Sequence, residues 1–406
     1  MLQDYWLFGL KYRRYLAFGV LLMCLSSFGQ TFFIALFGES LRTTFSISDG
    51  TLGSVYALAT FCSALTLGYV GRFIDHTTVG RFTAGVLFML VVACLCMASS
   101  VNVVMLGFSF YLLRLFGQGL MVHTGLTAAA RAFPDHRGKA LSLVSLGLPL
   151  GEAVFPIIVV ASLALFDWRI TWAVGACLLA VAGWVALTLE RSKPDQRDTS
   201  LPQAPDLAYA HGAAAIQIVR PWRDFRFLTA LPVIVAVPFI ATGFFFHQAR
   251  LASEKGWALS WVATWFVGYA AVRAVALLGI GPILDRWSAQ RILPFFLAPM
   301  AIALLLLGLW QGACTVPLYL CLFGVSSAAA GTVGTALWAE LYGTAHLGRI
   351  RASVEALNVI STGASPMLLG VLVDRGVLLS SQALGCAAYI ILASALAAYG
   401  VGRGKK

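Results

Sequence analysis

Gly71-Arg72-Phe73-Ile74-Asp75 and, 210 residues further on, Gly281-Pro282-Ile283-Leu284-Asp285 are two versions of one short interruption between long apolar runs. The offset holds beyond this loop: Arg81 returns as Arg291, Gly138 as Gly348 and Pro156 as Pro366. An apolar chain has a high background identity, so it is the constant spacing, not the number of matches, that indicates duplication. The repeated residues punctuate hydrophobic segments, which is where a chain built from two similar halves shows its history.

Composition identifies the solvent of those segments as lipid. Hydrophobic residues make up 60% of the 406 and charged residues only 11%, a balance that excludes an ordinary soluble domain. A bilayer core about 30 Å thick needs roughly 20 apolar residues per helical span. The chain offers about twelve such stretches, at 15–38, 50–71, 82–99, 102–130, 139–165, 168–189, 227–249, 257–284, 292–312, 315–342, 350–372 and 379–401. The expected fold is therefore an all-α membrane protein with two pseudo-symmetric six-helix bundles, 1–190 and 227–406. A polar, proline-punctuated linker over 191–226 joins them. Pro221, Trp222, Arg223 and Phe227 near its end suggest a short interfacial helix. The first apolar run exceeds a signal-peptide core and is expected to stay in the protein.

The basic residues set the orientation. With the N-terminus in the cytoplasm, 21 of the 28 Lys and Arg residues fall on that side. Only Arg42, Arg169, Arg250, Lys255 and Arg375 fall on the other, while Arg114 and Arg273 lie within spans. This bias predicts a multi-pass protein of the cytoplasmic (inner) membrane with both termini cytoplasmic. It also accounts for the net charge of +11, leaving no argument for a nucleic-acid partner. The eight cysteines mostly sit inside apolar segments, and the close pair Cys94 and Cys96 has neither disulfide nor zinc spacing. No nucleophile–base set, metal-ligand cluster or phosphate-cradling loop occurs at usable spacing. The chain is expected to be a monomer, not an enzyme, with no cofactor and no metal.

The loop at Gly71 to Asp75 with Gly80-Arg81, and its repeat ending Asp285-Arg286, resemble the signature loop of the major facilitator superfamily, Gly-x-Leu-x-Asp-Arg-x-Gly-Arg. Phe73 replaces the leucine, His76 the arginine, and Gly80-Arg81 arrives two residues late; Ser288 stands where the second copy should have glycine. Arg114, Gln118 and Gly119 are similar to the family's fourth-helix arginine motif, with one extra residue before the glutamine. Gly147, Gly151 and Pro156 resemble the fifth-helix motif of antiporters. Phe133-Pro134-Asp135-His136-Arg137-Gly138-Lys139-Ala140, and the segment from Gly348 through Pro366 to Gly370 and Asp374, resemble the oxalate/formate and monocarboxylate branch. The resemblance covers nearly the whole chain and implies alternating access with a small organic anion as substrate. It also implies a gating role for Gly71, Asp75, Arg81, Gly281, Asp285, Arg286 and Arg291. Physically, a glycine at a span end lets helices approach, and an aspartate at a helix start accepts backbone N–H bonds.

The charges inside spans bear on substrate. Arg273 lies twelve residues before Asp285, roughly 18 Å at about 1.5 Å per residue, which is the bilayer midplane. An arginine there faces a water-filled cavity, a counter-ion or a substrate, and a carboxylate matches its two-pronged geometry. Tyr269, one turn earlier, can stack beside it. Tyr269 stands where monocarboxylate porters of the resembled branch carry an aspartate, and the eleventh span lacks the lysine of oxalate exchangers. One positive charge suits a monoanion. Glu152 also falls near the midplane and is expected either to pair with Arg114 or to carry a proton as the cavity alternates between wet and dry. Gln30, His247 and Gln248 are candidate neutral donors to substrate. The alternatives are efflux of amphipathic compounds, for which the fifth-helix motif speaks, and a receptor of the same fold that does not transport.

Overall fold

The computed structural model describes residues 2–192, 221–343 and 347–403. Most of the expected linker, and the side chains of Asp285 and Arg349, lie outside what is described. Among the described residues the chain forms twelve apolar helical segments. In the first half these are α1 (Arg13–Gly29 continued by Thr31–Phe45), α2 (Asp49–Asp75), α3 (Val79–Ala98), α4 (Val103–Ala132), α5 (Arg137–Leu163) and α6 (Trp168–Glu190). The second half has α7 (Phe225–Phe246), α8 (Leu259–Arg286), α9 (Ala298–Leu309), α10 (Thr315–Tyr342), α11 (Leu347–Asp374) and α12 (Leu379–Arg403). Leu58, Leu65, Phe88, Val104 and Leu392 project from the outer surface, as expected where lipid is the solvent.

Polar punctuation starts the helices. Ser48 accepts from the N–H of Thr51, Thr78 from Arg81, Asn102 from Met105, Asp167 from Arg169 and Asp224 from Arg226, each satisfying a donor the helix leaves open. The expected interfacial helix is a single 3-10 turn, Pro221–Arg223. Asp75 does not act as a cap: it closes the 3-10 turn Gly71–Asp75 that ends α2, and Thr78 caps the next helix.

Packing repeats with the sequence. In the first half α3 packs on α6, α1 on α5 and on α6, and α2 on α4; in the second half α9 packs on α12, α7 on α11 and on α12, and α8 on α10. Adding six to each helix number converts one set into the other. The principal seams between halves, α2 with α11 and α5 with α8, exchange under the same operation, so a pseudo-twofold axis relates the bundles.

The halves meet most closely on the face opposite the basic loops. A Cβ at Gly53 would overlap the carbonyl of Pro366, one at Gly50 would lie 2.5 Å from a carboxylate oxygen of Asp374, and one at Gly370 would lie 2.5 Å from the carbonyl of Asp49. The backbones of α2 and α11 thus touch, as small residues permit in lipid. Asp374 accepts from the N–H groups of Asp49 (3.1 Å) and Gly50 (2.9 Å), placing a negative charge of one half on the helix start of the other.

Gly53→Val is expected to overpack this crossing by about 1–3 kcal/mol. Spin labels at Ser48 and Val377, in a background without native cysteines, should shift to longer separations on that substitution. An unchanged distance distribution would show that the crossing does not set the closure.

Candidate functional site

A cavity of about 690 Å³ lies between the halves, with Arg114, Gln118 and Glu152 on one wall and Tyr269, Arg273 and Asn358 on the other. Its α2 lining runs from Thr60 to Leu67 and its α11 lining from Glu355 to Thr362, all on the basic-loop side of the Gly53–Pro366 crossing. The cavity therefore extends toward the basic face and is sealed from the opposite one.

At its wall the guanidinium of Arg273 donates to Glu152 across the α5–α8 seam. The Glu152 side chain is 7% exposed and that of Arg273 is 25% exposed, so the acid is enclosed while the base reaches the cavity. The second carboxylate oxygen, Oε2, has no hydrogen-bond partner among the described residues. Tyr269 sits beside Arg273 as the one-turn spacing predicts, its ring centroid 5.9 Å from the guanidinium carbon. The expected pairing of Glu152 with Arg114 does not form.

Arg114 is committed elsewhere for a reason visible in the backbone. α1 bends by 46° between Arg13–Gly29 and Thr31–Phe45, with Gln30 extended at the break (φ −81°, ψ 149°). Arg114 Nη1 donates to the carbonyl of Gly29 at 3.3 Å and to the hydroxyl of Thr31 at 3.4 Å, bridging that break. Its guanidinium carbon also stands 5.2 Å from the Tyr56 ring centroid, while its Nε has no described partner. The segment carrying it, Leu113–Met121, is a π-helix, which holds one more residue per turn than an α-helix needs. The extra residue between Arg114 and Gln118 is accommodated there. Gly29 and Gly117 pack backbone to backbone at this point.

Of the expected substrate donors, Gln30 lines the cavity at the bend. His247 and Gln248 do not. His247 is 1% exposed, with Nε2 2.9 Å from the Pro366 carbonyl and Nδ1 3.5 Å from Asp49. Gln248 donates to the carbonyl of Phe32 at 2.9 Å, crossing from one half to the other. Both seal the face opposite the cavity, because α7 ends there instead of facing inward at that depth.

The expected gating residues split. Asp75 pairs with Arg131 of the same half, which also donates to the carbonyl of Ile74 at 3.1 Å, a contact within one bundle. His123 stands 3.2 Å from the Gly71 carbonyl. Gly281, by contrast, has nothing within 4 Å of a built Cβ and serves no close approach in this state. Arg81, Arg286 and Arg291 are exposed on the basic face. Glu340 caps the short helix Ala289–Ile292 through the N–H groups of Ala289 (2.7 Å) and Gln290 (3.2 Å). Sequence reading missed the cross-half role of Asp374; the small residues Gly50, Gly53 and Gly370 were the available signal.

Glu152→Gln and Arg273→Gln are each expected to lower the unfolding temperature, by about 2 kcal/mol in stability, below the roughly 3–5 kcal/mol of a fully enclosed pair. The double variant should lose less than the sum. Additive losses in thermal unfolding would mean that the two groups act independently. Arg114→Gln should cost about 1–3 kcal/mol by leaving the α1 bend unbridged, and a stability equal to the parent's would contradict the bridging role.

No curated protein matches the sequence. Among solved structures, a bacterial homolog of the human lysosomal transporter Spinster, inward-facing and occupied, superposes with a TM-score of 0.71 over 97% of each chain at 13% identity. The same protein in its inward-facing, unoccupied form gives 0.66 at 14% identity, over 96% of this chain and 97% of that one. An aspartate-to-alanine variant of the nucleoside transporter NupG gives 0.66 at 13% identity, over 97% of this chain and all (100%) of that one. These likenesses agree on the fold, and the family model described as Major Facilitator Superfamily matches residues 19–366. The chain belongs to the Major Facilitator Superfamily and is a multi-pass membrane transporter.

Proposed function

We propose that the protein is a secondary transporter for small organic monoanions, with monocarboxylates as the chemical class, and that it works by alternating access across the inner membrane with both termini in the cytoplasm. One observation carries the reading: Arg273 lies open to the cavity and is neutralised by a single carboxylate, Glu152, contributed by the other half. A solute carboxylate entering from the cavity competes for the same guanidinium, which holds two oxygens in a bidentate fork. Glu152, enclosed on its own side, then gives up its countercharge, and a proton arriving on it keeps the seam neutral. The gate that holds the opposite face shut is the α2–α11 crossing, with Asp374 and His247 as its polar contacts and Gln248 tied to α1 beside it. Binding that loosens the α5–α8 seam and rebuilds contacts on the basic face exchanges the two accesses, as the pseudo-twofold relation of the seams permits.

Gly147 and Gly151, whose motif favours an efflux carrier, are used here for packing. A Cβ at either would run into α1, at the Val20 carbonyl and the Ser27 hydroxyl respectively. The cavity lining is mixed: Gln118, Glu152, Arg273 and Asn358 stand among apolar side chains such as Leu67, Val237 and Phe245, which suits a small anion with a short apolar body.

Liposomes containing the purified protein should accumulate radiolabelled formate, acetate or lactate by counterflow. Arg273→Gln is expected to reduce that rate at least about a hundredfold, the scale of one lost charge-assisted hydrogen-bond pair. Counterflow at the parent rate in the variant, or none of any small anion in the parent, would overturn the reading.

A further inference from the structure

The two halves differ in one element, and the difference opens a second cavity. By the 210-residue offset, α3 corresponds to the stretch from Ala289 to Gly308. α3 is one helix of 20 residues, whereas its counterpart breaks into Ala289–Ile292 and α9. Pro294 and Pro299 stand where α3 carries Ala84 and Met89, and proline both lacks the N–H and clashes with the preceding turn. The break leaves a cleft of about 730 Å³ on the outer surface, between the end of α8, the broken segment, α10 and α12. Its walls include Ile283, Phe295 and Phe296, and its polar members are Trp287, Gln290 and Arg291.

The chemistry of the cleft names its occupant. Phe295 is 71% and Trp287 59% exposed, so in a membrane these rings meet hydrocarbon and headgroup, not water. Arg291 is the only charged residue among the described lining residues. The neighbouring acid, Glu340, is engaged with the backbone of Ala289 and Gln290. An apolar cleft whose polar members are a guanidinium, an amide and an indole beside the basic loops matches an acyl chain topped by a phosphate.

We propose that this cleft is a binding site for one anionic glycerophospholipid, with an acyl chain against Ile283, Phe295 and Phe296 and the phosphate at Arg291 and Gln290. Arg291 is then a lipid-holding residue, not a partner across the bundle. The site is independent of the central cavity, since its lining shares no residue with it.

Native mass spectrometry of the full-length protein, given phosphatidylglycerol and phosphatidylcholine of identical chains, tests this. The parent should retain phosphatidylglycerol preferentially. Arg291→Gln should cut that preference about fivefold, the weight of one interfacial basic residue, and Ala398→Trp, which fills the cleft from α12, should reduce retention of both lipids. Equal retention and unchanged selectivity in both variants would overturn the site, as would a parent that prefers phosphatidylcholine. A measurement on the unaltered cleft complements these: chain-brominated phosphatidylglycerol should quench a component of tryptophan emission that Trp287→Phe removes. Equal quenching in both proteins also overturns it.

Discussion

Every charge carried into the membrane must find a partner, because lipid supplies none. In this protein Arg273 meets the constraint through Glu152, and that contact joins the two halves. Its asymmetry matters more than its strength: the acid is enclosed in the α5–α8 seam, and the base is open to the cavity. A pair built this way can be challenged from one side only. Arg114, the other intramembrane base, is held by the carbonyl and hydroxyl on either side of the α1 bend, so it shapes the cavity wall and leaves Glu152 to Arg273.

The opposite face closes by close packing and by polar contacts between the bundles, among them Asp49 with His247 Nδ1 at 3.5 Å. Three glycines bring α2 and α11 into backbone contact, and Asp374 adds a helix-terminal charge interaction. The seams α2–α11 and α5–α8 map onto one another under the pseudo-twofold. One is tied by close packing and the other by charge. In the proposed mechanism a charged ligand acts on the second without having to separate the first directly, and a small solute thereby biases a large rearrangement.

Much of this was legible in the residues. Composition fixed the class, the apolar stretches anticipated the number of helical segments, and the repeat offset anticipated two matching halves, because apolar runs of membrane length admit few other structures. Placing Arg273 at depth needed only the helical rise. Its partner was not legible, since Glu152 and Arg273 are 121 residues apart and the seam that joins them depends on how the halves dock. The contacts of Arg114 were not legible either, because they depend on a bend at Gln30. The one-residue excess before Gln118 was the available sign, and it becomes the π-helical stretch. Gly71 and Gly281 read as matched gate elements, yet Gly71 opens a 3-10 turn against His123 and Gly281 faces open space, for identical residues in a repeat need not do the same work in one conformational state.

The central claim is that a solute carboxylate takes Arg273 from Glu152 and that the displaced acid accepts a proton. Calorimetric titration of the purified protein with lactate in buffers of different ionisation enthalpy counts the protons that accompany binding. Uptake of about one proton per anion bound is expected for the parent and none for Glu152→Gln. Binding of the anion with no proton uptake by the parent, or the same uptake by both proteins, would contradict it.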